Sequence, residues 1–203
     1  MTREQQFWNW FRENEAKYFF LNQIMGEEVK ESLLDELLKQ LHIYCNRLFF
    51  EVGGQTGKKQ DFIITAEGDI DFFDKVVLLV KHAPKLEYWN IIAFKPVMEN
   101  CIAECCNIKL DPKTMFFIPL SNKMSKKIGL RIYIDDYNSI KKEDFLTTTY
   151  LVLDNILGEE TNALNIGYVD IEDLSSISKK EDLIELIKLP KYIEWKKTSK
   201  VTK

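Results

Sequence analysis

The sequence predicts an α+β protein, with one domain over residues 1–190 in which a mixed, mostly antiparallel sheet packs with an N-terminal helical hairpin and further helices. Three observations carry this expectation. Apolar residues recur at helical spacing up to Cys45. From Arg47 onward, short runs rich in Phe, Ile and Val alternate with glycine or proline turns. Helical spacing then returns only in isolated segments.

Phe7, Trp10, Phe11, Asn14, Tyr18 and Leu21 fall three and four apart, along one side of a helix. Trp8, Phe19 and Phe20 add more aromatic surface than one face can bury, so core on two sides or a partner chain must cover it. After Gly26, the positions Val29, Leu33, Leu34, Leu37, Leu38, Leu41, Tyr44 and Cys45 make a second stripe. Glu27, Glu28 and Glu31 near its start suit the positive end of a helix dipole. Residues 47–52 and 60–65 flank Gly53, Gly54 and Gly57 as a β-hairpin. The same glycines and Lys58 fail as a phosphate-binding loop, because Val52 stands where its first glycine belongs, Lys59 replaces the metal-binding hydroxyl, and a strand follows.

Asp71 then caps a helix that ends near His82, since Pro84 disfavours helical backbone at Ala83. Residues 89–94 read as a strand, giving the strand, helix, strand order of a parallel crossover. Further strands are expected at 105–110, 115–120, 128–134 and 163–170. Residues 145–157 keep helical spacing despite the β-favouring Thr147, Thr148 and Thr149, and 180–188 reads as a short helix stopped by Pro190. Residues 191–203, with five lysines, read as a basic, flexible tail whose removal after Pro190 leaves the domain folded.

Composition narrows the function classes. With 45% hydrophobic and 12% aromatic residues, and 8 Gly and 5 Pro in 203, the chain is not of disordered or collagen-like type. A formal charge of −4 argues against general nucleic-acid binding. The longest apolar run, residues 115–120, is far short of the ~20 residues a membrane span needs, so no membrane association is expected. The opening MTREQQFWNWFRENEAK lacks a secretory apolar core, and four cysteines, two of them adjacent, suit reduced thiols. The expected location is cytoplasmic.

Candidate chemistry is sparse. Glu67, Asp69, Asp71 and Asp74 cluster where a strand runs into a helix and could hold a hard cation, although capping and dipole compensation already explain acids there. His42, Cys45, Cys101, Cys105 and Cys106 lack the paired spacing of zinc sites, and neither His42 nor His82 belongs to a nucleophile motif. No catalytic residue, metal or cofactor is implied. The strongest asymmetry is electrostatic: residues 134–173 carry ten acids against Lys141 and Lys142. Asp135, Asp136, Glu159, Glu160, Glu172 and Asp173 are therefore the candidate docking residues for a protein with a basic surface.

Residues 64–69 (Ile-Thr-Ala-Glu-Gly-Asp), 82–96 (His-Ala-Pro-Lys-Leu-Glu-Tyr-Trp-Asn-Ile-Ile-Ala-Phe-Lys-Pro), 153–159 (Leu-Asp-Asn-Ile-Leu-Gly-Glu) and the opening Phe7-Trp8-Asn9-Trp10-Phe11 with Asn14-Glu15 resemble a family of uncharacterised bacterial proteins found among Bacteroidetes. The resemblance spans roughly residues 7–170. It implies a bacterial cytosolic protein and transfers no catalytic residue. The expected function is a non-enzymatic interaction or regulatory protein, of immunity type among other options, docking through its acidic surface. The alternative is a small-molecule-binding domain or an enzyme using Glu67, Asp69, Asp71 and Asp74.

Overall fold

Helix α1, Arg3–Phe19, starts where the side chains of Thr2 and Gln5 reciprocally hydrogen-bond each other's backbone N–H, at 3.3 and 3.0 Å. Helix α2, Glu27–Tyr44, returns against it, and Lys17 and the Tyr18 hydroxyl both reach Glu36. In the computed structural model, which describes residues 1–54, 58–98, 102–120, 125, 127–177 and 182–199, the fold is α+β. The predicted helical hairpin is present. The chain packs as two compact units, Met1–Lys95 and Pro96–Lys203.

In the first unit, β1 (Phe49–Gly54) pairs antiparallel with β2 (Gln60–Thr65), and β2 pairs parallel with β3 (Trp89–Ala93). The glycine-turn residues 55–57 lie outside the described residues. The crossover contains α3, Phe73–Lys81, preceded by a short 3-10 turn. Asp69 caps that turn by accepting from the Asp71 N–H, so the N-terminal signal sits two residues earlier than predicted, and Asp71 is inside the turn. The helices cover the sheet face that carries Phe62 and Ile64, both fully buried. Phe11 stacks on Phe62 at 4.7 Å, the Trp8 indole N–H donates to the Leu79 carbonyl at 2.8 Å, and the Tyr44 hydroxyl donates to the Lys75 carbonyl at 3.1 Å. Of the surplus N-terminal aromatics, Trp8 joins Phe7, Phe11 and Tyr18 in the core, Phe19 is half-buried and Phe20 is exposed.

The second unit opens with a hairpin, β4 (Ala103–Cys105) and β5 (Ile108–Leu110), where the sequence predicts one strand. Cys106 and Asn107 both have φ near +55 to +60°, the backbone of a tight two-residue hairpin turn. The main sheet has the order β8-β7-β6-β9. Here β6 (Phe116–Leu120) is antiparallel to both β7 (Ile128–Ile134) and β9 (Ile184–Glu185), and β7 is parallel to β8 (Ile166–Asp173). The expected turn at 121–126 lies largely outside the described residues. Helices α4 (Lys142–Leu157) and α5 (Glu159–Asn165) form the crossover. The β-favouring threonines fit α4 because the hydroxyls of Thr147, Thr148 and Thr149 each donate to the carbonyl four residues back. Leu130, Ile132, Phe117, Val152, Leu153, Leu186 and Leu189 centre the core.

Two C-terminal expectations are corrected. Pro190 does not stop a helix; it lies in the first turn of α6, Leu189–Ser199, where its missing N–H would have no intrahelical partner in any case. Residues 191–199 are accordingly helix rather than a flexible tail, with Ile193 in the core and the Tyr192 ring 5.7 Å from Phe117. Among the described residues, no helix is long and apolar enough to cross a membrane.

Candidate functional site

The parallel pairing of β7 with β8 sets Ile134 opposite Asp173 and Tyr133 opposite Glu172. Neighbouring strands run about 4.8 Å apart, so Asp135, Asp136, Glu172 and Asp173 converge at one end of the sheet. Asp136 holds left-handed backbone at φ 57°, and the Asp173 carboxylate accepts from the Ser175 N–H at 2.8 Å. Compensation lies farther down the strands: Arg131 reaches Asp170 at 3.0 Å and Glu172 at 3.4 Å, and Lys142 reaches Asp170 at 3.7 Å. Among the described residues, Asp135, Asp136 and Asp173 have no ion pair.

Glu159 and Glu160 do not join them. Sixteen residues of α4 rise about 24 Å, which carries the α4–α5 corner to the opposite end of the crossover, where β8 begins. Glu159 is also only 1% exposed. The six predicted residues therefore do not form one surface: Asp135, Asp136, Glu172 and Asp173 lie at one sheet end, and Glu159 is buried.

Of the four candidate carboxylates of the N-terminal unit, Glu67, Asp69 and Asp74 are drawn into ion pairs. Asp69 accepts from Arg47 at 2.9 Å, Glu67 and Glu51 flank Lys95 at 3.0 and 3.3 Å, and Asp74 lies 3.6 Å from Lys75. No group of three or more metal-ligating side chains occurs among the described residues. The Arg47 hydrogen bond holds the Asp69 carboxyl below the usual aspartate range, opposed by partial burial and aided by the Asp71 N–H. The sign follows: this pair stabilises the fold above the ordinary aspartate pKa, and that contribution is lost as pH falls through the lowered value. In Arg47→Ala, Asp69 is expected to titrate closer to the ordinary range, as followed by carboxyl-carbon NMR. An unchanged titration would show that the backbone N–H alone holds it down.

The other candidates are occupied locally. His42 donates through Nε2 to the Leu48 carbonyl at 3.1 Å, and His82 through Nδ1 to the Leu78 carbonyl at 2.8 Å, because a carbonyl can only accept. The Cys105 and Cys106 sulfurs lie 3.3 Å apart at the β4–β5 turn, and Cys45 is half-buried. Cys101 lies outside the described residues.

A site that sequence reasoning did not find lies in the N-terminal unit. The end of α1 and the entry to β3 enclose a pocket of about 410 Å³ lined by Glu15, Ala16, Phe19, Phe20, Tyr88 and Trp89. Phe19 is its hub, with ring centroids 5.1 Å from Phe20, 5.5 Å from Tyr88 and 6.3 Å from Trp89, at interplanar angles of 60 to 87°. Two lining residues carry buried polar atoms with no hydrogen-bond partner among the described residues, Glu15 Oε2 and Trp89 Nε1. Each such atom costs roughly 1–3 kcal/mol. Burial pushes the Glu15 carboxyl above the usual glutamate range.

No family model, curated protein or solved structure matches this chain.

The two sites differ in how legible they were. The acid count located residues 134–173, but separating four of its acids from Glu159 and Glu160 required the strand register. For the pocket, the available signal was the aromatic surplus at Phe19 and Phe20, with Tyr88 and Trp89 some seventy positions away in the chain.

Proposed function

We propose that this chain is a non-enzymatic interaction protein of the bacterial cytoplasm that docks a basic protein partner at the acidic end of β7 and β8. One observation carries the reading: parallel pairing gathers Asp135, Asp136, Glu172 and Asp173 at one sheet end, while the basic side chains Arg131 and Lys142 are committed to Asp170 and Glu172. Exposed charge of one sign accelerates encounter with the opposite sign and is screened over about 8 Å at physiological ionic strength. The enzyme alternative at Glu67, Asp69, Asp71 and Asp74 is supported less, because Arg47, Lys95 and Lys75 already neutralise three of those acids.

The test is capture from the native host by the immobilised full chain, followed by association kinetics with the captured protein. Neutralising Asp135, Asp136, Glu172 and Asp173 together to their amides is expected to slow association about tenfold at low salt and to flatten its salt dependence, with a smaller change in dissociation. Glu160→Gln, away from that end, is the control expected to have little effect. Association that is equally fast in the fourfold variant, or insensitive to salt in the native chain, removes this reading.

A further inference from the structure

We propose that the aromatic pocket of the N-terminal unit binds an alkylammonium group, a site independent of the acidic end of β7 and β8. Folded chains pair the great majority of their buried polar atoms with protein groups, ordered water or a ligand. Here Glu15 Oε2 and Trp89 Nε1 are the buried side-chain nitrogen and oxygen atoms without a partner among the described residues, and both belong to the wall of one pocket. Trp89 is 3% exposed, so bulk water does not satisfy its N–H.

The lining defines the ligand's chemistry. A carboxylate only accepts hydrogen bonds and favours a cation, and the four rings of Phe19, Phe20, Tyr88 and Trp89 present faces and edges at steep mutual angles. A bare primary ammonium brings three N–H donors, and one carboxylate among rings cannot satisfy them. An N-alkylated ammonium brings fewer donors or none, and spreads its charge over methyl groups that pack on aromatic faces. The volume, about 410 Å³, is in the range of small-molecule sites and exceeds what one methylammonium head fills, leaving room for an acceptor group beside it to take the Trp89 N–H. Phe20 and Tyr88, 49% and 53% exposed, stand where a ligand meets solvent.

The same chemistry reaches the pocket either as a free small molecule or as a methylated lysine side chain, and the assay separates these sources. Calorimetric titration of the full chain uses choline, ammonium chloride, the neutral carbon isostere 3,3-dimethylbutan-1-ol, and a short peptide bearing one trimethyllysine alongside its unmethylated form. Choline or the trimethyllysine peptide is expected to bind at least about tenfold more tightly than its uncharged or unmethylated counterpart, because the cation–π attraction is absent from the isostere and outweighed by hydration in the primary amine. Glu15→Gln, which keeps the side-chain shape, and Tyr88→Leu, at a residue 53% exposed, are each expected to weaken binding about tenfold, with circular dichroism confirming an unchanged fold. If only the peptide binds, the source is a modified protein; if choline binds, it is a small molecule. Equal affinity for the neutral isostere, unaltered binding in both variants, or no heat from any cation at roughly 10 mM overturns the proposal.

Discussion

Replacing Phe11 by alanine is expected to destabilise the protein by about 3–5 kcal/mol, a large part of the roughly 5–15 kcal/mol that holds an ordinary domain folded. Phe11 has no exposed surface and lies at the centre of the N-terminal unit. Its ring stacks on Phe62 at 4.7 Å and on Tyr18 at 6.0 Å, and meets Trp89 and Trp8 edge-on at 5.3 and 5.8 Å. Removing it leaves a void walled by rigid rings, which collapse less readily than aliphatic chains, so the cavity contribution adds to the lost transfer free energy. Urea unfolding followed by tryptophan fluorescence measures this directly, since Trp8 and Trp89 report on the same core. Phe20→Ala is the comparison: at 49% exposure it is expected to cost about 1 kcal/mol or less. Equal losses at the two positions would mean that Phe11 is not the keystone its packing indicates.

Truncation after Pro190 is expected to destabilise the C-terminal unit by about 3–5 kcal/mol, the opposite of what its lysine-rich sequence suggests. The cut removes Ile193, which is 2% exposed in the same cluster as Phe117, Leu186 and Leu189, and removes Tyr192 from beside the Phe117 ring. Ile193→Ala alone is expected to cost about 2–4 kcal/mol. Trp195→Ala, at a residue 60% exposed, is expected to stay within about 0.5 kcal/mol of the native chain. A truncated protein with an unchanged urea midpoint would restore the reading of residues 191–203 as a dispensable tail.

The contrast between Ile193 and Trp195 shows why that segment misleads when read as a sequence. Five lysines in thirteen positions dominate its composition, yet its Ile193 lies four residues after Leu189 and shares one side of α6 with it. Pro190 compounds the ambiguity. The same ring that ends a helix when it comes late is accommodated in the first turn, and only the position of the flanking hydrogen bonds distinguishes the two roles. The Cys106-Asn107 turn is a similar case: without glycine, nothing local requires positive φ, and the hairpin depends on the pairing of Ala103 with Leu110 and Cys105 with Ile108.

The locally encoded elements are the N-terminal helical hairpin, the hairpin of β1 and β2, the helix between β2 and β3, and the helical character of residues 145–157. These follow from side-chain period, caps and turn residues, all of which act within a few positions along the chain. Which distant groups meet depends instead on long-range packing. Register between β7 and β8 joined Asp135 and Asp136 to Glu172 and Asp173 and left Glu159 buried at the other end of α4. Packing of α1 against β3 forms the pocket in which Glu15 and Trp89 carry atoms without a partner among the described residues. Such encounters depend on hydrogen-bond pairing and burial between segments far apart in the chain, and no local period records them.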